Sequence, residues 1–270
     1  MPLSHIILLA LVQGLTEFLP VSSSGHLILA PKLFKFADQG LEMDVAMHVG
    51  TLGAVLVYFR KDVWRIMKGL LALIRGRVDG GGRLALYLVL ATIPAVVFGA
   101  TLSAFGTNGM RTIIFVGWTT LGFGLLMFVA DKVGALTKKM GDMTAFQAFL
   151  VGLAQAAALL PGTSRSGACM TMARFLGYER KEAARFAFLL SIPAILAAAS
   201  HTALKVYLKG SHFTLYSEAF YAMVFSFIVG LGAISFMMRW LTKSDLTPFV
   251  IYRIALGTLL LSWGYGWLKF

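Results

Sequence analysis

Two short stretches of this 270-residue chain carry side chains able to do chemistry on a phosphate. The first, Gly14 to Leu29, reads GLTEFLPVSSSGHLIL; it holds Glu17, then Ser22, Ser23 and Ser24, then His26. Gln13 precedes Glu17 by one helical turn and shares its face. The second, PGTSRSG from Pro161, offers Thr163, Ser164, Arg165 and Ser166. A serine hydroxyl attacks phosphorus only with a base beside it, so Ser23 with His26 or Glu17 forms a candidate nucleophile. Serine runs also cap helices, and capping accounts for at least two of the three hydroxyls.

Arg165 is the sharpest clue, because an arginine inside apolar surroundings costs about 2.5 kcal/mol or more and marks a function. Its planar fork suits a phosphate, and a Ser/Gly-rich turn at a helix start adds backbone N–H groups and a positive dipole end. Thr163, Ser164, Arg165, Ser166 and Ser22 are therefore the candidate phosphate-binding set. The plainer alternative pairs Arg165 with Glu17 and only ties the two stretches together. Glu17 and Gln13 suit a hard divalent cation, Mg²⁺ or Ca²⁺, with water and substrate oxygens completing its shell; a buried polar pair without metal reads equally well. His5, His48, His201 and His212 have no partner cluster and read as structural or solvated. His48 stays in view because it begins an apolar run close to the first stretch. Arg253 reads as a packed partner of an acid or of carbonyls.

The elements that must position these groups lie in a bilayer. Hydrophobic residues make up 58% of the chain and charged ones 13%, outside the range of a soluble domain. Runs near Val45–Phe59, Leu84–Ala104, Thr112–Ala130, Phe186–Leu204, Ala219–Met238 and Thr247–Leu268 approach or reach the roughly 20 residues of a spanning helix. They lack the alternation of a membrane barrel, so the fold class is all-α and polytopic. Leu3–Phe34 and Ala145–Met172 are instead broken at Pro20–Gly25 and Pro161–Gly167. Polar turns at membrane depth require burial or a wet cavity, so each is expected to be a re-entrant hairpin.

The two hairpins resemble each other, and each precedes three long runs. The chain thus reads as one membrane domain, 1–270, with inverted halves of about 1–140 and 141–270 whose broken segments meet near the midplane. With the Arg60–Arg83 connection placed in the cytoplasm, most of the 24 Lys and Arg residues fall on that side. The net charge of +12 is topological on this reading, and no soluble basic domain exists to bind nucleic acid. The first segment lacks a basic start and contains Gln13 and Glu17, unlike a cleaved signal peptide. Cys169, the single cysteine, forms no intrachain disulfide.

At QGLTE, PVSSSGH, DVAMHVGTLGAVLVYF, PGTSRSGA and FAFLLSIPA the chain resembles the undecaprenyl-diphosphate phosphatases of bacteria, also called bacitracin-resistance proteins. The resemblance runs from the first helix to the last. It implies two re-entrant hairpins and six spans, and removal of the terminal phosphate from undecaprenyl diphosphate with a divalent cation, which returns the cell-wall lipid carrier to use. It implies Ser23 as nucleophile, His26 as acid or base, Glu17 and Gln13 as the metal- or water-handling pair, and Arg165 with Ser164 as the phosphate clamp. The implied setting is the bacterial cytoplasmic membrane, with the site open to the periplasm or exterior. Cys169 stands where the family usually carries threonine, so that hydroxyl is lost here, moved to Thr171, or replaced by water. Inverted repeats with broken helices also characterise transporters and flippases, the competing class, which would use the same anion site without needing a serine beside a histidine. A homodimer is an open expectation.

Overall fold

Long apolar runs without strand alternation fold as helices, because in lipid a helix satisfies every backbone group within its own segment. The computed structural model describes residues 2–34, 40–105, 110, 112–208 and 217–268, without the side chains of 28, 30–33, 41, 42, 105, 203 and 205–208. Twelve α-helices are assigned among the described residues: α1 Leu3–Phe18, α2 Ser23–Phe34, α3 Gly40–Tyr58, α4 Arg60–Ile74, α5 Gly80–Phe105, α6 Ile113–Val133, α7 Ala145–Ala157, α8 Arg165–Phe175, α9 Arg180–Leu189, α10 Ser191–Leu208, α11 Ser217–Lys243 and α12 Thr247–Gly264. No strand is assigned among them; one isolated bridge joins Lys138 to Tyr178.

Five segments are long and apolar enough to cross a membrane: Gly80–Ala104, Ile113–Val133, Arg180–Thr202, Ser217–Lys243 and Thr247–Gly264. The expected run at Val45–Phe59 lies in α3, whose apolar part, Met43–Tyr58, is shorter than these. The run expected at Phe186–Leu204 is interrupted at Leu190, between α9 and α10. The connection after α3 holds a helix that hydropathy alone did not separate. This is α4, with Arg60, Lys61, Arg65 and Lys68 interleaved with the exposed Trp64, Met67 and Leu71. On α5, Leu86, Val89, Ile93 and Val97 are exposed at helical spacing, an apolar stripe suited to lipid rather than water.

The core lies where the broken helices meet the spans. Phe18, closing α1, stacks edge-on against Phe188 of α9 at 5.3 Å, within a cluster that also holds Phe59, Met170 and Ile234. α1 packs on α2, α3 and α11, while α8 packs on α6, α7 and α9 and touches α1. One end of this arrangement is pinned by Asp131 of α6. Its Oδ1 accepts from Arg174 Nε at 3.1 Å and Arg180 Nε at 2.7 Å, and its Oδ2 accepts from Leu246 N at 3.1 Å. Arg174, fully buried, also donates to the carbonyls of Asp131, Gly134, Ala135 and Tyr178. Such complete pairing is what a buried charge requires. Arg185 of α9 pairs with Asp62 of α4 in the same manner.

The basic residues read as lying on the outer side fall largely beyond this description. Lys35, Arg111, Lys209 and Lys269 are outside the described residues, as is His212, and the side chains of Lys32, Lys205 and Glu42 are not described.

Candidate active site

Pro20 and Pro161 stop the first arm of each hairpin, and α2 and α8 begin after short turns. The two turns are built alike. Ser22 and Ser164, each immediately before its second helix, have φ of 76° and 72°, a left-handed conformation that non-glycine residues seldom hold. Ser22 Oγ accepts from Gly25 N at 3.3 Å, and Ser164 Oγ accepts from Gly167 N at 3.2 Å. Each hydroxyl also lies 3.3 Å from that of the serine two places on, Ser24 or Ser166. These caps satisfy helix-start N–H groups and hold the strained φ in place. The alignment that superposes them pairs Ser23 with Arg165 and Gln13 with Gln155, one residue out of step with the two prolines.

The turns touch. A Cβ added to Gly25 would stand at ordinary contact distance, 3.7 Å, from Gly162 Cα, whereas one added to Gly162, at φ 91°, would come within 2.7 Å of Val116 O, so it is Gly162 that must be glycine. Ser166 Oγ donates to Leu19 O at 3.3 Å. Arg253 of α12, fully buried, locks the junction by donating to Pro20 O at 3.2 Å, Gly162 O at 3.1 Å, Thr163 O at 2.9 Å and Thr120 O at 3.2 Å. It is the carbonyl partner the sequence suggested.

Glu17 is the hub. It is 5% exposed at the end of α1. Its Oε2 accepts from Ser23 Oγ at 2.8 Å and from Gln13 Nε2 at 3.1 Å, and lies 3.6 Å from His48 Nε2. Its Oε1 accepts from Arg165 Nη2 at 2.7 Å. The ion pair between the two stretches is therefore present, and Ser23 shares it. Arg165 Nη1 is buried without a partner among the described residues, as are Gln13 Oε1 and Thr163 Oγ1.

Two expectations change. His26 does not reach Ser23: its Nδ1 lies 2.7 Å from Ser22 O and its Nε2 lies 2.6 Å from Tyr252 Oη, with the rings stacked at 5.8 Å. The helix that starts at Ser23 turns the imidazole towards α12, so the group in contact with the Ser23 hydroxyl is the Glu17 carboxylate. Nor does Thr171 stand in for the family threonine, because its hydroxyl donates to Gly167 O at 2.7 Å, and Cys169 is wholly buried. Sequence reasoning gave Tyr252 no role and His48 only a watching brief. Neither could be found by spacing, since each reaches the site from another helix.

Fold and site together define a multi-pass helical membrane protein in which an acid, a serine and a guanidinium meet at the junction of two broken helices. The chain belongs to the family of the bacitracin resistance protein BacA, whose profile matches residues 6–259. It is 49% identical to the undecaprenyl-diphosphatase of Dinoroseobacter shibae over 98% of this chain and 100% of that protein. It is 48% identical to proteins of the same name from a Jannaschia species and from Ruegeria pomeroyi, again over 98% and 100% of the respective chains.

Proposed function

We propose that this chain is an integral-membrane phosphatase that hydrolyses undecaprenyl diphosphate to undecaprenyl phosphate and inorganic phosphate, recycling the cell-wall lipid carrier and conferring bacitracin resistance. Membership of the family and near-half identity to undecaprenyl-diphosphatases along their whole length support the reading. The observation that carries the chemistry is Ser23 Oγ held 2.8 Å from a carboxylate that is itself paired with Arg165. A transporter needs the cation but gives no reason for a hydroxyl on that acid.

Phosphoryl transfer depends on position and charge compensation more than on covalent assistance. Arg165 keeps one nitrogen on Glu17 and offers Nη1 to a phosphate oxygen, beside the helix start at Ser164. Ser23 Oγ attacks the terminal phosphorus in line; its proton passes to Glu17 Oε2, the P–O bond to the lipid phosphate breaks, and undecaprenyl phosphate leaves. Water then attacks the phosphoserine, releasing inorganic phosphate and restoring Ser23. Ser22, Thr163, Ser164 and Ser166 shape the anion-facing turns, and His26 faces the side held by Tyr252.

The buried and unpaired Gln13 Oε1, one turn from the Glu17 carboxylate, fits a hard divalent cation, Mg²⁺ or Ca²⁺, whose other positions go to water and substrate. Such a cation supplies charge neutralisation of the diphosphate.

In the bilayer, the α1–α2 and α7–α8 hairpins enter from opposite faces of the bacterial cytoplasmic membrane. The isoprenoid tail stays in lipid, and the diphosphate reaches the turns from the periplasmic or external side. The test is phosphate release from undecaprenyl diphosphate by purified protein with Mg²⁺, alongside Ser23→Ala and Arg165→Ala. Acid-quenched phosphoserine at Ser23 is expected. Full turnover by Ser23→Ala would mean that Glu17 activates water directly, and no release by the wild type would return the transporter.

A further inference from the structure

His48, on α3, has no part in the reaction just described, yet it faces the hub. Its Nδ1 lies 2.7 Å from Asp44 O. A carbonyl can only accept, so Nδ1 carries the ring proton, and in the neutral ring Nε2 presents a lone pair. That nitrogen lies 3.6 Å from Glu17 Oε2, which bears lone pairs of its own. Half a turn of the Gln13 amide exchanges its oxygen and nitrogen, and the nitrogen now sits 3.1 Å from the same Oε2. The exchange brings to that point an oxygen that at present is buried and unpartnered.

Three acceptors can thus converge on the Oε2 side of Glu17, opposite the Oε1 side held by Arg165. Acceptors repel one another unless a cation lies among them. A separation of 3.6 Å suits two ligands of one ion at bond lengths of about 2.0 to 2.2 Å.

We propose that His48 Nε2 joins Glu17 Oε2 and Gln13 Oε1 as a ligand of the divalent cation, and that this imidazole turns the site from Mg²⁺ or Ca²⁺ towards borderline ions such as Mn²⁺ or Zn²⁺. Magnesium and calcium take oxygen ligands almost exclusively, whereas imidazole suits transition ions. The inference rests on the reading of Glu17 and Gln13 as a cation site. It adds a donor and a metal preference that those two residues alone would not give.

Pulsed electron paramagnetic resonance of chelator-stripped protein reloaded with Mn²⁺ tests it. The wild type is expected to show ¹⁴N coupling from a directly bound imidazole, and His26→Gln is expected to keep it. His48→Gln is expected to lose it and to bind Mn²⁺ at least about tenfold more weakly, the loss typical even of groups that only support a ligand. The Mg²⁺ requirement for phosphate release should move far less. Mn²⁺ binding without nitrogen coupling, no Mn²⁺ binding, or unchanged affinity in His48→Gln overturns the assignment and leaves His48 as a neighbour of Glu17 that holds no metal. Phosphate release by the same wild-type preparation separates the two readings. Release without nitrogen coupling overturns only the ligand; coupling without release overturns only the phosphatase.

Discussion

Arg165 Nη2 and Glu17 Oε1 lie 2.7 Å apart although 148 residues separate them in the chain, so one ion pair joins the two turns through the same carboxylate that accepts from Ser23 Oγ. Lysine in place of arginine offers a single point charge that cannot hold both the carboxylate and a phosphate. Arg165→Lys is expected to lower kcat/KM for phosphate release by about 100-fold or more. Glu17→Gln leaves Arg165 unpaired in buried surroundings, at a cost of about 3 kcal/mol, read as a lower melting temperature in detergent. The double variant Glu17→Gln/Arg165→Met should recover much of that stability and none of the activity. Activity in the double variant would contradict the assigned roles.

Tyr252 supports His26. Because His26 Nδ1 meets a carbonyl, its Nε2 is the nitrogen available to the Tyr252 hydroxyl at 2.6 Å. Tyr252→Phe keeps the stacked ring and removes the hydrogen bond. The expected result is a loss of about 1 kcal/mol, the scale of one such bond, read as a lower melting temperature in detergent. In a His26→Gln background the same substitution should cost nothing more, and independent losses would show that Tyr252 acts elsewhere.

The left-handed serines give a sharper test of the turns than deletion would. Ser164→Gly relieves the backbone at φ 72° while removing the cap, and glycine caps cost only a few tenths of a kcal/mol. Ser164→Val adds a β-branched side chain to that same φ and should cost about 2 kcal/mol or more. Thermal unfolding of the two variants should rank Gly above Val; the reverse order would contradict the backbone geometry.

Close helix packing positions His48. A Cβ on Gly50 would stand 2.2 Å from the Met223 carbonyl oxygen of α11, and neither backbone can yield cheaply. Gly50→Ala is expected to destabilise the protein by about 1–3 kcal/mol through overpacking. At Gly122, where nothing lies within 4 Å, the same substitution should be tolerated when measured by the same melt.

At the α11–α12 connection, burial pushes the Asp245 carboxyl up. Hydrogen bonds from Lys132 and Thr247 together with the Lys132 charge more than offset this and hold it below its ordinary value. A carboxylate with a lowered folded pKa stabilises above its unfolded value of about 4, and that contribution disappears as the pH falls through the folded value. The pair is partly exposed, so solvent screening limits it to about 0.5 kcal/mol. Lys132→Met should therefore lower the melting temperature slightly at pH 7 and hardly at all at pH 3. A difference that persisted or grew at pH 3 would rule the pairing out.

The sequence alone determined what is local or compositional. Apolar runs dictate helices, prolines 20 and 161 end the first arms, and the Ser/Gly turns that follow are readable one by one, as is the expense of Arg165 in apolar surroundings. Its capping reading, which took at least two of the three serines, holds only for Ser22, since Ser23 turns to Glu17 and Ser24 to the Ser22 hydroxyl, while its carbonyl reading of Arg253 holds. What the tertiary structure decided is which side chains meet. Helix phase, fixed by packing rather than by spacing, turns Ser23 to Glu17 and His26 to Tyr252, although both begin in the same turn. The α3–α11 contact brings His48 to the acid, and Arg253 ties the two turns together from the last helix. Such meetings depend on the relative rotation of helices distant in sequence, and no local pattern encodes that rotation.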